Sequence, residues 1–453
     1  MITRRSFIKA CCAAAAASSA VPGMAYFNPL GAGRNISNDV IVYLFLRGGI
    51  DGLHLVVPSS GPERVSYDQI RHPGVLIPET DLRALDAEGR WGLHPRAGGL
   101  RGDGVGSAPK WLQKLWVQNK LAIIQGCGMP TALSRSHFDA QAWMDLGTPG
   151  SKNTSTGWIT RYLSAATGLP QAELSSVFGF ASTLPLSLLG NNEAFTVSRA
   201  EEFKVDGFHW SWDDSDPDIN NHQGAHTRLA NIWAQSDGLL GSKGKTTAQA
   251  LAQMRDIPFS EYLAEGGAEY PDNGLGIQMQ NLAQLIKQDT GLVAATLDYG
   301  GWDTHEGQGK PQPGNPGHYD YYGNQLEGLS RAVEAFYTDL ALSAQGNIMN
   351  RVSVVMLSEF GRKVRGNQSN GTDHGYGNVA MVVGGSVNGG QLYGNFPGLD
   401  KASLFENQDL GVTTDYRRIL AEALVKRMNF SAGNLDQVFP GIGSYEPLGV
   451  FQQ

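Results

Sequence analysis

Between Val40 and Leu46 the chain reads VIVYLFL, an unbroken apolar run that predicts a strand buried on both faces of a parallel sheet. Leu121–Gln125, Leu292–Leu297, Val352–Leu357 and Val379–Val383 repeat the pattern. Between these runs the apolar positions change to helical spacing. Helices are predicted over Pro109–Asn119 (Trp111, Leu112, Leu115 and Trp116 on one face), Ser134–Leu146, Gly276–Asp289, Tyr319–Ser343 and Thr414–Met428. Ser136, with Asp139 three residues on, has the form of a capping box. Thr-Thr-Asp, ending at Asp415, opens the last helix with a cap. Strand and helix alternate, which predicts an α/β fold with a mainly parallel central sheet and helices on both faces. Residues 54–108 read as loop-rich, and 148–270 as a helical insertion or cap with helices at His222–Gln235 and Thr246–Met254. The expected organisation is one domain over 26–453.

In such folds the chemistry gathers beyond the carboxyl ends of the strands. The first run is followed by Arg47-Gly48-Gly49-Ile50-Asp51-Gly52, and the third by Asp298-Tyr299-Gly300-Gly301-Trp302-Asp303-Thr304-His305. The fourth leads into Ser358-Glu359-Phe360-Gly361-Arg362, and Gly371-Thr372-Asp373-His374-Gly375 precedes the fifth. Asp51, Asp303, His305, Glu359 and His374 converge on one rim if these strands are neighbours. Several carboxylates in one place repel unless a cation lies among them. Mixed Asp, Glu and His donors suit Zn, Mn, Mg or Ca, so the candidate metal ligands are these five residues. Two ions together would clamp a phosphoryl or sulfuryl group.

The N-terminus changes the picture of where this happens. Thr3-Arg4-Arg5-Ser6-Phe7-Ile8-Lys9, followed by the alanine-rich stretch Ala10–Ala20, reads as a twin-arginine signal peptide within residues 1–25. The twin-arginine translocase is then a partner during export, and the expected location is periplasmic or secreted. The apolar stretch is too short for a stable membrane span. Taking the leader's three basic residues from 35 leaves 32 against 43 acidic, a net −11, which argues against nucleic acid or an anionic membrane as partner. Beyond the leader Cys127 stands alone, so no internal disulfide is expected, and its apolar surroundings predict a buried small hydrophobe.

Taken in order after that leader, LFLRGGIDGL, SRSHFDAQ, GGWDTH, SEFGR and GTDHG resemble the DUF1501 family, grouped with the alkaline phosphatase and sulfatase superfamily. The resemblance implies an alkaline phosphatase-like sheet with a two-metal rim. Asp51 would match the Asp that ends the first strand. Asp303 and His305 would match an Asp and His of the other metal, and His374 the late His. Glu359 would replace an Asp ligand. Phe360 stands where that pattern has a His, which leaves a one-metal site, a different metal or a degenerate site open. The family nucleophile implies a hydroxyl at the start of the helix after the second strand: Ser136 or Ser134, with Thr131 a third choice. A helix N-terminus there would stabilise an anion. Arg135 and His137, with Arg47 or Arg362, would hold substrate oxygens. The expected function is an exported metal-dependent hydrolase of a small anionic phosphate or sulfate ester. The alternative is a secreted, non-catalytic binding or assembly protein that keeps a degenerate metal site.

Overall fold

The structure, a computed structural model, describes residues 39–452 apart from 72, 100–107, 170–174, 199–229, 239–240, 243, 246, 249–256, 258, 290 and 312–318. The expected signal peptide, residues 1–25, lies outside the described residues, as does most of the expected helices His222–Gln235 and Thr246–Met254.

Twelve strands are formed among the described residues. They are β1 (Val40–Leu46), β2 (Val56–Pro58), β3 (Arg83–Ala84), β4 (Trp91–Leu93), β5 (Leu121–Gly128), β6 (Val177–Phe180), β7 (Phe195–Val197), β8 (Ala294–Tyr299), β9 (Val352–Leu357), β10 (Asn378–Gly384), β11 (Gln391–Tyr393) and β12 (Thr414–Asp415). Nine build one sheet in the order β11-β5-β10-β9-β1-β8-β6-β7, with β12 beside β5; β2, β4 and β3 form a small second sheet. β9, β1, β8, β6 and β7 pair in parallel, and β10 alone runs against both of its neighbours, β9 and β5. The expected α/β architecture with a mainly parallel sheet is present. Within 148–270, β6 and β7 extend this sheet beyond β8 rather than forming only a cap over it.

The continuous apolar runs are explained by burial on two sides. Val40, Val42, Leu44 and Leu46 face one core with the helices Trp111–Val117, Gly274–Lys287 and Tyr321–Ala341. Ile41, Tyr43 and Phe45 face another with His137–Leu146, Trp158–Ala165 and Tyr416–Lys426. Successive side chains of a strand point to opposite faces, so one seven-residue segment anchors both layers.

Caps set several helix starts. Asp320 accepts from Gly323 N, which starts that helix at Tyr321 rather than Tyr319. Asn273 accepts from Gly276 N and Asp415 from Arg417 N. The helix expected from Ser134 begins at His137; Ser136 occupies the cap position but its hydroxyl makes no cap bond. The capping box is therefore not formed, and Ser136 N instead donates to Ser134 Oγ at 3.0 Å. The loop-rich stretch 54–108 contains a ten-residue helix, Gly61–Ile70, and the small sheet. Cys127 is buried, and burial pushes its thiol far above the ordinary range. No helix among the described residues is long and apolar enough to cross a membrane.

Strand direction places the loops of interest together. Leu46 pairs with Tyr299 and Phe45 with Leu357, so β1, β8 and β9 end side by side. Antiparallel β10 begins at that same edge, where Asn378 pairs with Cys127 near the end of β5. The segments 47–51, 129–137, 300–305, 358–363 and 371–377 therefore share one rim.

Candidate metal centre

Three imidazoles on this rim aim the same ring atom at one point. The Nε2 atoms of His137, His305 and His374 lie 3.3, 3.1 and 3.1 Å from Asp303 Oδ1. His137, Asp303 and His374 form a triad whose ligand atoms all lie within 4.8 Å of one another. His305 is outside that triad, although its Nε2 lies 2.8 Å from His374 Nε2.

The other ring nitrogens show how these orientations are held. His137 Nδ1 is 2.7 Å from Glu359 Oε1, and His305 Nδ1 is 3.1 Å from Asp373 Oδ1. His374 Nδ1 is 2.6 Å from the Arg135 carbonyl. Each partner is an acceptor, so each Nδ1–H donates to it; each Nε2 in turn faces the carboxylate of Asp303, where a cation would take the place of a shared proton. A carboxylate or carbonyl behind each imidazole is the usual outer support of a metal-binding histidine. His137 Nε2 is buried and makes no hydrogen bond among the described residues, although Asp303 Oδ1 lies 3.3 Å away.

Glu359, at the end of β9, is an organising residue. Its Oε1 accepts from Gly48 N (2.8 Å), from Gln141 Nε2 (2.8 Å) and from His137. His137 and Gln141 are four residues apart on one helix, so both reach the same oxygen. Burial opposes ionisation of Glu359, but His137 and Gln141 outweigh it and hold the carboxyl below its ordinary value. The hydrogen bond that His137 donates to Glu359 raises the His137 imidazole. Gly48 makes this approach feasible: its φ is +120°, and a Cβ there would stand 2.6 Å from Asp303 N.

Asp303 is tied from below by Arg362. That buried guanidinium donates to Asp303 Oδ1 at 2.7 Å and to the carbonyls of Gly49, Thr372 and Trp302, besides a contact with Gly48 O. Burial raises the Asp303 carboxyl, but Arg362 and His374 dominate and bring it well below the usual range. Phe360 lies under the cluster, its ring centroid 4.9 Å from those of both His137 and His374. It is an apolar floor where the resemblance implied a ligand.

The side chains of Asp303 and His305 are 48% and 44% exposed, whereas His137 and His374 are 22% and 19% exposed. One side of the cluster is therefore open to solvent. Closed four-ligand sites are structural, whereas catalytic centres keep an open position.

The remaining expected site residues are placed differently. Asp51 is buried and pairs with the guanidinium of Arg71, which has no solvent exposure; Gln308 Nε2 adds a hydrogen bond at 2.9 Å. Asp51 therefore already has a cationic partner, and the triad does not include it. Glu359 supports His137 and is likewise outside the triad. Arg135 directs its guanidinium to Glu406 (2.7 Å) and Asp409 (2.5 Å), not into the rim. Arg47 is spent on Asp145 and Asp298. Ser134 Oγ accepts from Ser136 N. The sequence predicts His137 on substrate oxygens and gives Asp373 no role in the site. The signals for both were present: His137 and Gln141 at helical spacing, and Asp373 adjoining His374.

Residues 248–439 match the family model described as "Protein of unknown function (DUF1501)". The matched span carries Asp303, His305, Glu359 and His374, while β1, β5 and His137 precede it. No curated protein and no solved structure matches the chain. The identity that the comparisons support is thus similarity to DUF1501 over residues 248–439, the part of the chain that supplies three of the four residues meeting at Asp303 Oδ1.

Proposed function

We propose that this chain is an exported, metal-dependent hydrolase of a phosphate or sulfate ester, with one metal ion held by His137, His305, His374 and Asp303. The observation that carries the reading is the convergence of three Nε2 atoms on Asp303 Oδ1, with one side open. Three imidazoles and one carboxylate favour a borderline ion such as Zn²⁺ or Mn²⁺ over Mg²⁺ and Ca²⁺, which prefer oxygen donors. A bound ion would supply Lewis acidity, polarising an ester oxygen and lowering the pKa of a hydroxyl or water. A second ion finds little support, because Asp51 and Glu359 are committed to Arg71 and His137.

Ser136 is the nucleophile in this reading. It sits one residue before His137, at the N-terminus of a ten-residue helix, and its hydroxyl is not used as a cap. Without a side-chain cap, first-turn N–H groups remain to stabilise an oxyanion. Ser134 already accepts a hydrogen bond, and Thr131 lies further from the helix. The twin-arginine leader supports export.

The second reading, a non-catalytic metal-binding protein, is favoured by one observation. Arg47, Arg135 and Arg362 are all engaged internally, so none of these three is free for substrate oxygens. Turnover of 4-nitrophenyl phosphate and 4-nitrophenyl sulfate by metal-loaded protein separates the two. Hydrolysis that requires metal and falls at least 100-fold in Ser136→Ala supports the first; bound metal with no turnover of any ester supports the second.

A further inference from the structure

Beside the imidazole cluster lies a shallow, largely open cavity of about 190 Å³, lined by Gly301, Asp303, Thr304, Glu306, Tyr319 and Tyr321. Its described walls carry two phenol rings and the carboxylates of Glu306 and Asp303, the latter already paired with Arg362. Thr304 Oγ1 is spent on Gln308 Oε1 at 3.0 Å, so this hydroxyl is not turned to a ligand. Gly301, with φ +92°, admits the close packing of Tyr321: a Cβ there would meet the Tyr321 hydroxyl at 2.9 Å. Asp303 belongs to both the cavity and the metal ligands, so anything bound in the cavity lies next to the reacting centre.

This lining is wrong for the anionic end of an ester, because phosphate or sulfate would meet Glu306 and none of the lining residues is basic. It suits the opposite charge. The faces of aromatic rings attract ammonium and quaternary ammonium groups, and a nearby carboxylate adds to that attraction. We infer that the cavity between Tyr319, Tyr321 and Glu306 receives a cationic group, an ammonium or quaternary ammonium, carried by the molecule on which the adjacent centre acts. The inference rests on the reading of that centre as an ester hydrolase only for what the cationic molecule is; the binding itself is independent of turnover. It also explains how an ester is held on a rim whose arginines are engaged elsewhere: the substrate is gripped by its cationic end while its acidic end faces the metal.

Calorimetric titration of choline chloride into metal-loaded protein, with the neutral isostere 3,3-dimethylbutanol as control, tests this. Choline is expected to bind at least tenfold more tightly than the isostere. Glu306→Gln and Tyr321→Leu are each expected to weaken choline at least tenfold, whereas Tyr321→Phe, which keeps the ring, retains binding. Equal binding of the two probes, absent choline binding, or choline binding unchanged in Glu306→Gln and Tyr321→Leu would overturn the inference. Choline bound without turnover of any ester leaves it standing while removing the hydrolase reading; ester turnover without choline binding does the reverse.

Discussion

His305 Nε2 stands 2.8 Å from His374 Nε2. Both Nδ1 atoms face acceptors, so with neither Nε2 protonated two lone pairs would meet at hydrogen-bonding distance. That contact is repulsive unless a proton or a metal ion is shared between them. Asp303 Oδ1, 3.1 Å from each, is the negative partner such an ion would need.

If Glu359 works by orienting His137, weakening that contact lowers metal affinity without abolishing it. Glu359→Gln keeps the size of the side chain but removes the charge that fixes the tautomer. Loss of an outer-shell partner costs about 10–100-fold in metal affinity. Competition with a chromogenic chelator should therefore show Glu359→Gln weakened by about 10–100-fold, and His137→Ala weakened more. Equal loss in both variants would make Glu359 a ligand rather than a support.

Asp51 and Arg71 are expected to serve stability, not metal binding. The Arg71 side chain has no solvent exposure and that of Asp51 is 2% exposed, so removing one leaves the other as an uncompensated buried charge. Breaking such a pair costs about 3–5 kcal/mol. Arg71→Met should lower the urea midpoint accordingly while the metal content per folded chain is unchanged. Metal lost from folded Arg71→Met would return Asp51 to the ligand set.

Acid sensitivity should come from the other side of Asp51. His54 and His94 are fully buried, with ring centroids 5.2 Å apart, and His54 packs edge-on against Tyr322, whose hydroxyl donates to the Asp51 carbonyl. Burial pushes both imidazoles well below their ordinary value; Arg71 lowers His54 further, and His54 lowers His94. A histidine with a depressed folded pKa contributes stability that is complete above the unfolded value of about 6.5 and is lost as pH falls toward the folded one. Over that window each histidine adds a slope of about 1.4 kcal/mol per pH unit. Urea unfolding at pH 7.5 and pH 5.5 should show a smaller loss in His54→Leu than in the parent chain. An identical loss would place the acid sensitivity elsewhere.

The strands were legible where burial is two-sided. Val40–Leu46 and Val352–Leu357 form at their expected bounds because a strand covered on both faces is almost continuously apolar, broken in the second only by buried Ser353. The strands of the small sheet have only two or three residues, too short to show any period. The rim was legible because parallel strands end together and each ends beside glycine and an acid or histidine. Roles within it were harder to read. A carboxylate after a strand looks the same whether it will meet a cation or an arginine, and the partner of Asp51, Arg71, lies in a stretch without clear pattern. His137 depended on helix phase. A start at Ser134 instead of His137 is most of a turn, enough to change which side chains face Glu359 and Asp303.

Elemental analysis of protein purified without chelators is the most direct test of the central claim. The account predicts one divalent transition metal ion per chain, most of it lost in His374→Ala and in Asp303→Ala, and retained in Arg71→Met. A parent chain that binds no metal when Zn²⁺ or Mn²⁺ is supplied, or a His374→Ala chain that binds as much as the parent, would contradict it.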